Sequence, residues 1–334
     1  MAATIRDITR ATGLSVATVS KFLNGGHVLP ENRKKIERAV KTLHYRVNEV
    51  ARGLATSRTK TVGVLIPCLD NVFASTIIAR VEDILRGKGY GTIVCDCRGD
   101  PAAEREELDF LLSKQVDGIF NVPSSEDPAY LSGAAGQGVP VVLIDRTFGN
   151  GGRFDSVLAD NAGASRSAVA ALVRRGHRRI GILCGGRDSF TARERLAGYV
   201  EALRSRGISF RQELAEEGEL SVRHGYDGMK KLLALKEPPT AVYLTNYEIT
   251  LGAVVALNEL GVRFPEDLSV IGFDNLTLAQ VVRPRLWMVV QPMRQMAETA
   301  ARVMLGRLDG SLQSPRRTYR LKTALVEGES VRRL

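Results

Sequence analysis

Polar residues stand directly behind apolar runs at several places in the chain: Asp145 with Arg146, Asn246, Asp274 with Asn275, and Gln291. A carboxylate or amide at the end of a buried strand, in a cleft poor in water, orients the hydroxyls of a bound molecule. A second chemistry sits at the front of the chain, where Ser15, Val16, Ala17, Thr18, Ser20 and Lys21 open a helical pattern. Small side chains there let a helix end approach base edges in a major groove about 12 Å wide, while hydroxyls and cations around it hold phosphates. The charge agrees: the first 60 residues carry 12 of the 47 Lys and Arg and 4 of the 37 Asp and Glu, so +8 of the formal net charge of +10 is local to them. Neutralising several phosphates needs such clustering. The plainer readings are a basic protein-interaction module, strand-end caps, interdomain salt bridges and, for Thr4, Thr18 and Ser20, helix capping or back-bonding.

Other chemistries find no residues to carry them. Cys68, Cys95, Cys97 and Cys184 lie inside apolar runs without CxxC pairs, which reads as buried free thiols with no metal site. His27, His44, His177 and His224 are scattered, and His177, in RRGHRRI, reads as structural. The chain lacks G-x-G-x-x-G behind its first strand, a GxxxxGK[ST] loop and G-x-S-x-G, so neither a cofactor nor a catalytic centre is expected.

The elements that position these residues follow from periodicity. Residues 4–12 place Ile5, Ile8 and Ala11 on one face with Thr4 as N-cap; Gly13 stops that helix, and Ser15 caps a second over 16–23 with Val19 and Leu23 inward. A third helix over 30–43 turns Ile36, Val40 and Leu43 inward and carries Arg33, Lys34, Lys35, Arg38 and Lys41. This is a helix-turn-helix arrangement. From residue 61 onward apolar strands alternate with amphipathic helices; the strands fall at 61–67, 92–97, 118–122, 139–145, 180–184, 241–245, 268–273 and 289–291, with a last one at about 316–326. Such βαβ repetition makes parallel doubly wound sheets with ligands at the carboxyl ends of strands, here in two subdomains with a cleft between them. Charges interrupt residues 1–24 and no apolar run reaches 18 residues, which points to a cytoplasmic protein without a membrane span.

Residues 4 to 65, with SVATVSKFLNG followed by NEVARGLAT, closely resemble the DNA-binding head and hinge of the LacI-type transcription regulators, and the rest, to about Glu329, resembles that family's effector core. The resemblance implies an α/β fold: an N-terminal helix-turn-helix three-helix head (1–47), a hinge helix and linker (48–59), and a periplasmic-binding-protein-like core of two doubly wound parallel-sheet subdomains (60–334). It implies base reading by Val16, Ala17 and Lys21, and backbone contacts by Thr4, Ser15, Thr18, Ser20, Asn24, His27 and Arg33. A short hinge helix should order only when paired on DNA, with Leu54 as a minor-groove wedge.

In the core the resemblance implies effector contacts at Asp145, Arg195, Asn246, Asp274 and Gln291, with Phe73 lining the pocket, Arg146 and Arg193 nearby, and Tyr247 beside the pocket asparagine. The chain departs from the pattern where the family follows that asparagine with Asp: Tyr247 removes one acceptor. It departs again at Asn71-Val72-Phe73-Ala74 and at Leu220, where some members carry aromatics. The guanidinium candidates Arg146, Arg193 and Arg195 leave room for a carboxylated or phosphorylated ligand. The expected protein is a homodimeric regulator, a repressor of carbohydrate-related genes, whose partners are double-stranded operator DNA and a sugar, sugar acid or sugar phosphate. With only a few residues beyond the last strand, no tetramerising helix is expected. The rival class is a periplasmic-type solute-binding protein or a sugar-acting enzyme on the same core fold.

Overall fold

The computed structural model describes residues 3–23, 25–45, 53, 58–149, 153–274 and 276–334. The chain forms two compact units, Met1–Lys60 and Thr61–Leu334.

In the first unit, Asp7 accepts from the Thr4 N–H at 2.9 Å and the Thr4 hydroxyl at 2.7 Å, which starts α1 (Ile5–Thr12) and holds the Asp7 carboxyl below its usual range. Gly13, at φ 70°, ends the helix by donating its N–H to the Thr9 carbonyl. The Thr18 N–H donates to Ser15 Oγ at 3.2 Å and starts α2 (Val16–Leu23); Pro30 opens α3 (Pro30–Thr42). Ile8, Val19, Ile36 and Ala39 fill the centre, with Ile5, Phe22, Leu23, Val40 and Leu43 around them. Ala11, expected inward, is exposed. At 100° per residue it has rotated well off the stripe through Ile5 and Ile8, and Thr12 takes that side instead.

The second unit alternates strands and helices: β1 (Thr61–Ile66), α4 (Val72–Arg86), β2 (Gly91–Asp96), α5 (Pro101–Ser113), β3 (Gly118–Asn121), α6 (Ser132–Gly136), β4 (Val141–Ile144), β5 (Asp155–Ala159), α7 (Asn161–Arg174), β6 (Ile180–Gly185), α8 (Phe190–Arg204), β7 (Ala215–Gly218), α9 (Val222–Leu233), β8 (Ala241–Leu244), α10 (Tyr247–Glu259), β9 (Ser269–Phe273), α11 (Leu276–Val281), β10 (Trp287–Val290), α12 (Met293–Leu308), β11 (Thr318–Leu321) and β12 (Ala324–Val326). Six strands in the order β11-β5-β4-β3-β1-β2 make an all-parallel sheet. Six more, β12-β10-β9-β8-β6-β7, make a second sheet that is parallel except for β12. Helices cover both faces, so most strands read as continuous buried apolar runs.

Three features differ from the sequence expectation. The segment read as one last strand is two: β11 pairs with β5 in the first sheet, and β12 pairs with β10 in the second. β7, with the sequence AEEG, is an edge strand that among the described residues pairs with β6 alone, and it lacks the apolar run that marks a strand. β5 begins with Asp155, a fully buried carboxylate, which disguises it in the same way. Cys95, Cys97 and Cys184 are buried and free, and burial pushes each up to about 12, whereas Cys68, expected buried, is free but only half-buried.

Asp155 anchors distant chain segments to the first sheet. Arg307 of α12 donates to both its oxygens, at 2.8 and 3.1 Å, and Arg316 and the Arg317 N–H add bonds at 3.2 and 3.1 Å. Removing one partner of a buried charged cluster leaves the other desolvated and uncompensated. Arg307→Met is therefore expected to lower unfolding free energy by about 3 kcal/mol in urea titration, whereas Arg166→Met, at an exposed ion pair, should change it by less than about 1 kcal/mol.

Candidate functional site

At the carboxyl ends of the strands the two halves of the core enclose a cleft of about 350 Å³. Asp145 follows β4 and Asp274 follows β9, and the two are built alike. Each has a left-handed backbone, φ 67° and 79°, and each donates its N–H to the neighbouring strand, to the carbonyls of Val157 and Val289. Positive φ is uncommon for a residue with a side chain, and here it turns a buried carboxylate from each sheet into the cleft.

Gln291, behind β10, donates from Nε2 to Asp274 Oδ1 at 2.5 Å. Arg195 of α8 is buried on the same wall: its Nε donates to Asn161 at 2.8 Å, one terminal nitrogen donates to the Thr245 carbonyl, and its guanidinium lies 4.0 Å from the centre of the Phe273 ring. Arg146 donates to the Pro123 carbonyl at 3.1 Å and stands 3.7 Å from Asp145. Asn246 caps α10 through the Ile249 N–H, and Phe73 closes the other side while packing on the core of the first half. Asp145 Oδ1, Gln291 Oε1 and Arg146 Nε are buried without a hydrogen-bond partner.

Burial dominates the electrostatics. It raises the Asp145 carboxyl against the opposing pull of Arg146 and Arg195, and it pushes Asp274 up to about 6 although Arg195 and Gln291 both favour its charged form.

Not every expected residue faces the cleft. Arg193 and Tyr247 do not line it. Thr191 and Arg195, one helical turn apart, share the inward face of α8, and Arg193 between them points elsewhere, donating to Glu126 and to the Arg187 carbonyl beside a second depression. Tyr247 gives way to its neighbour. Glu248, which the sequence reading passed over, lines the cleft and accepts from Asn246 at 2.6 Å and from Asn71 at 3.0 Å. A carboxylate thus stands one residue beyond the position at which the expected Asp is replaced by Tyr247. Arg98 and Thr191, which no sequence pattern singles out, also line the cleft, and Leu220 lies on its wall. The signal available was Asn246 itself: an N-cap predicts that the first turn behind it shares its surroundings.

In the first unit Val16, Ala17 and Lys21 are exposed along α2, with Val16 54% accessible. Ser15 and Thr18 are joined by a 2.9 Å hydroxyl contact, so both carry the helix start as well as any outside contact. Ser20 is half-buried, and Thr4 is tied to Asp7. His27 is exposed, as is Arg33, which pairs with Glu37 at 2.8 Å. Gly26 packs tightly under α2, where a Cβ would stand 2.6 Å from Lys21 Cγ. Asn24 and Leu54, with most of the expected hinge, lie outside the described residues.

Comparison with known proteins covers both units. Residues 4–48 match bacterial regulatory proteins, lacI family, and residues 169–331 match the periplasmic binding protein-like domain. The chain is 33% identical over 332 residues to the HTH-type transcriptional repressor PurR of Yersinia enterocolitica, covering 98% of this chain and 97% of that one. It superposes on the lac repressor dimer bound to operator and the anti-inducer ONPF with a TM-score of 0.89 at 28% identity, covering 99% and 100% of the two chains. A LacI family transcriptional regulator from Enterococcus faecium with bound ribose gives a TM-score of 0.74 at 27% identity, over 82% of this chain and 99% of that one.

The cleft carboxylates make a stability prediction. The Asp274 pKa of about 6 exceeds the unfolded value of about 3.9, so the folded chain holds this proton more tightly. Its contribution to stability is greatest below about pH 4, declines as pH rises through about 6, and is constant above. Asp274→Asn is expected to raise unfolding free energy at pH 7.5 by about 3 kcal/mol and to leave it little changed at pH 4. Thermal melts at the two pH values check this; an equal effect at both contradicts it.

Proposed function

The chain belongs to the lacI family of bacterial regulatory proteins and is a DNA-binding transcriptional regulator; we propose that it is a homodimeric repressor released from a double-stranded operator by a neutral, polyhydroxylated effector of sugar size. The observation that carries the effector class is the set of unsatisfied atoms in the cleft. Asp145 Oδ1 and Gln291 Oε1 are acceptors waiting for donors, and sugar hydroxyls are donors. A carboxylate or phosphate would have to share the cleft with Asp145, Glu248 and Asp274, and although Arg146 Nε has no partner, two nitrogens of Arg195 and one of Arg146 are already committed to protein oxygens. A neutral sugar is therefore preferred to a sugar acid or phosphate, and the ribose bound to the Enterococcus faecium relative is in keeping with that.

On the DNA side Val16 and Ala17 read thymine methyls or groove shape, and Lys21 is the donor to a base edge. Ser15, Thr4, Thr18, Ser20, His27 and Arg33 serve the sugar-phosphate backbone, with Asn24; Leu54 keeps its assignment as wedge from sequence alone. Exposed apolar side chains on the core, Val72 and Val94 in the first half and Val222, Val255 and Val281 in the second, suit burial against a second copy. No helix among the described residues is long and apolar enough to cross a membrane. A regulator gripping chromosomal DNA works in the cytoplasm, and the cleft is read as binding without turnover.

The test is a fluorescence-anisotropy titration of full-length protein on duplex from its own upstream region. Binding should fall steeply with salt, and ribose or a related neutral sugar should weaken it by about 5- to 150-fold. Lys21→Ala should weaken operator binding with sugar affinity unchanged. Absence of salt-sensitive binding would overturn the regulator reading. Calorimetry in which a sugar acid or sugar phosphate binds more tightly than its neutral parent would overturn the effector class.

A further inference from the structure

Asn71 and Asn246 do the same work on opposite walls of the cleft. Asn71 Oδ1 accepts from the Ala74 N–H at 2.9 Å and caps α4 in the first half; Asn246 Oδ1 accepts from the Ile249 N–H at 3.0 Å and caps α10 in the second. Each cap fixes the orientation of its amide, because a flip would set an NH2 against a backbone N–H. Both NH2 groups are thereby aimed at one carboxylate. Glu248 Oε1 accepts from Asn71 Nδ2 at 3.0 Å, and Oε2 accepts from Asn246 Nδ2 at 2.6 Å. Only a residue with two acceptor atoms and no donor satisfies this pair. Among the described residues two ion pairs also join the halves: Glu194 of α8 pairs with Arg320 of β11 at 2.7 Å, and Glu126 pairs with Arg193, both substantially exposed, so that salt and side-chain entropy leave the second pair little worth. Glu248 is partly buried, and its bonds are charge-assisted.

We propose that Glu248 is a ligand-independent latch: by holding the amides of both walls it keeps the effector-free core closed, so that the effector adds to closure instead of creating it. This concerns the regulation of the effector cleft described above, but it does not depend on which molecule fills the cleft.

The geometry supplies its own rescue. Glu248→Gln can keep Asn246 through its carbonyl, but it meets Asn71 donor to donor. Asn71→Asp still caps α4 with one oxygen, but it sets the other against Glu248. In the double variant the new amide at position 248 donates to the new carboxylate at position 71 and accepts from Asn246, so the bridge re-forms with its roles reversed. Small-angle X-ray scattering and hydrogen exchange on full-length protein in sugar-free buffer read the result. Each single variant should show a larger radius of gyration and roughly tenfold faster exchange of the backbone amides at 67–74; the double variant should return to wild-type values. Single variants indistinguishable from wild type, or a double variant that stays open, would overturn the latch. If a single variant fails to fold in a thermal melt, the double variant decides alone: closed dimensions support the proposal and open ones defeat it. With no sugar present, this outcome is separable from the effector reading, which stands or falls on calorimetry.

Discussion

A parallel sheet covered by helices on both faces has nowhere to put a polar side chain except the ends of its strands. Water is absent from the faces, and an unpartnered polar group there costs free energy. Val141 to Ile144 and Ser269 to Phe273 run buried through the core, and polarity returns only where each strand stops. The functional groups of the cleft inherit their positions from this exclusion. Asp145, Asn246, Asp274 and Gln291 face one another because the two sheets present their carboxyl ends to one space.

The two sheets repeat one plan. β4, β5 and β11 in the first correspond in order to β9, β10 and β12 in the second, and an aspartate with a left-handed backbone follows β4 and β9 alike. The repeat brings like charges together, and Asp145 is among the groups that raise Asp274. Arg195 is the counterweight, though its bonds to Asn161 and Thr245 hold it against its own wall. A carboxylate that titrates near 6 is a costly fixture in a folded core. Such a cost suits the effector cleft proposed above, since stability is commonly traded for binding at functional sites.

Much of this was legible in the sequence, for physical reasons that can be named. The head follows from helix periodicity, cap residues and clustered charge, all of them local properties. The breaks from apolar to polar after strands located five cleft residues, Asp145, Arg146, Asn246, Asp274 and Gln291, without any three-dimensional information. Glu248 was missed because its importance comes from Asn71, 177 residues away, and no local pattern reports which two helix caps will face each other. Arg193 stands two residues from Arg195, and the 3.6-residue period sets the two on different faces of the helix, a distinction the sequence does contain. The division of the last strand at Leu321 and Ala324 was invisible, because an extended segment looks the same whether it serves one sheet or two.

The first half of the core borrows α12 and β11 from far along the chain: Met296, Ala300, Val303 and Met304 of α12 pack among Val62, Val64 and Phe120, and β11 joins the sheet beside β5. Chain order thus runs against spatial order. As the polypeptide leaves the ribosome, the head has all its packing partners once residue 45 has emerged. The first sheet must wait with an uncovered face and an unpaired edge until α12 and β11 have been made. The interval in which this protein is most open to proteases and chaperones is therefore written into its topology, and it ends only when a strand near the end of the sequence comes back to close the beginning.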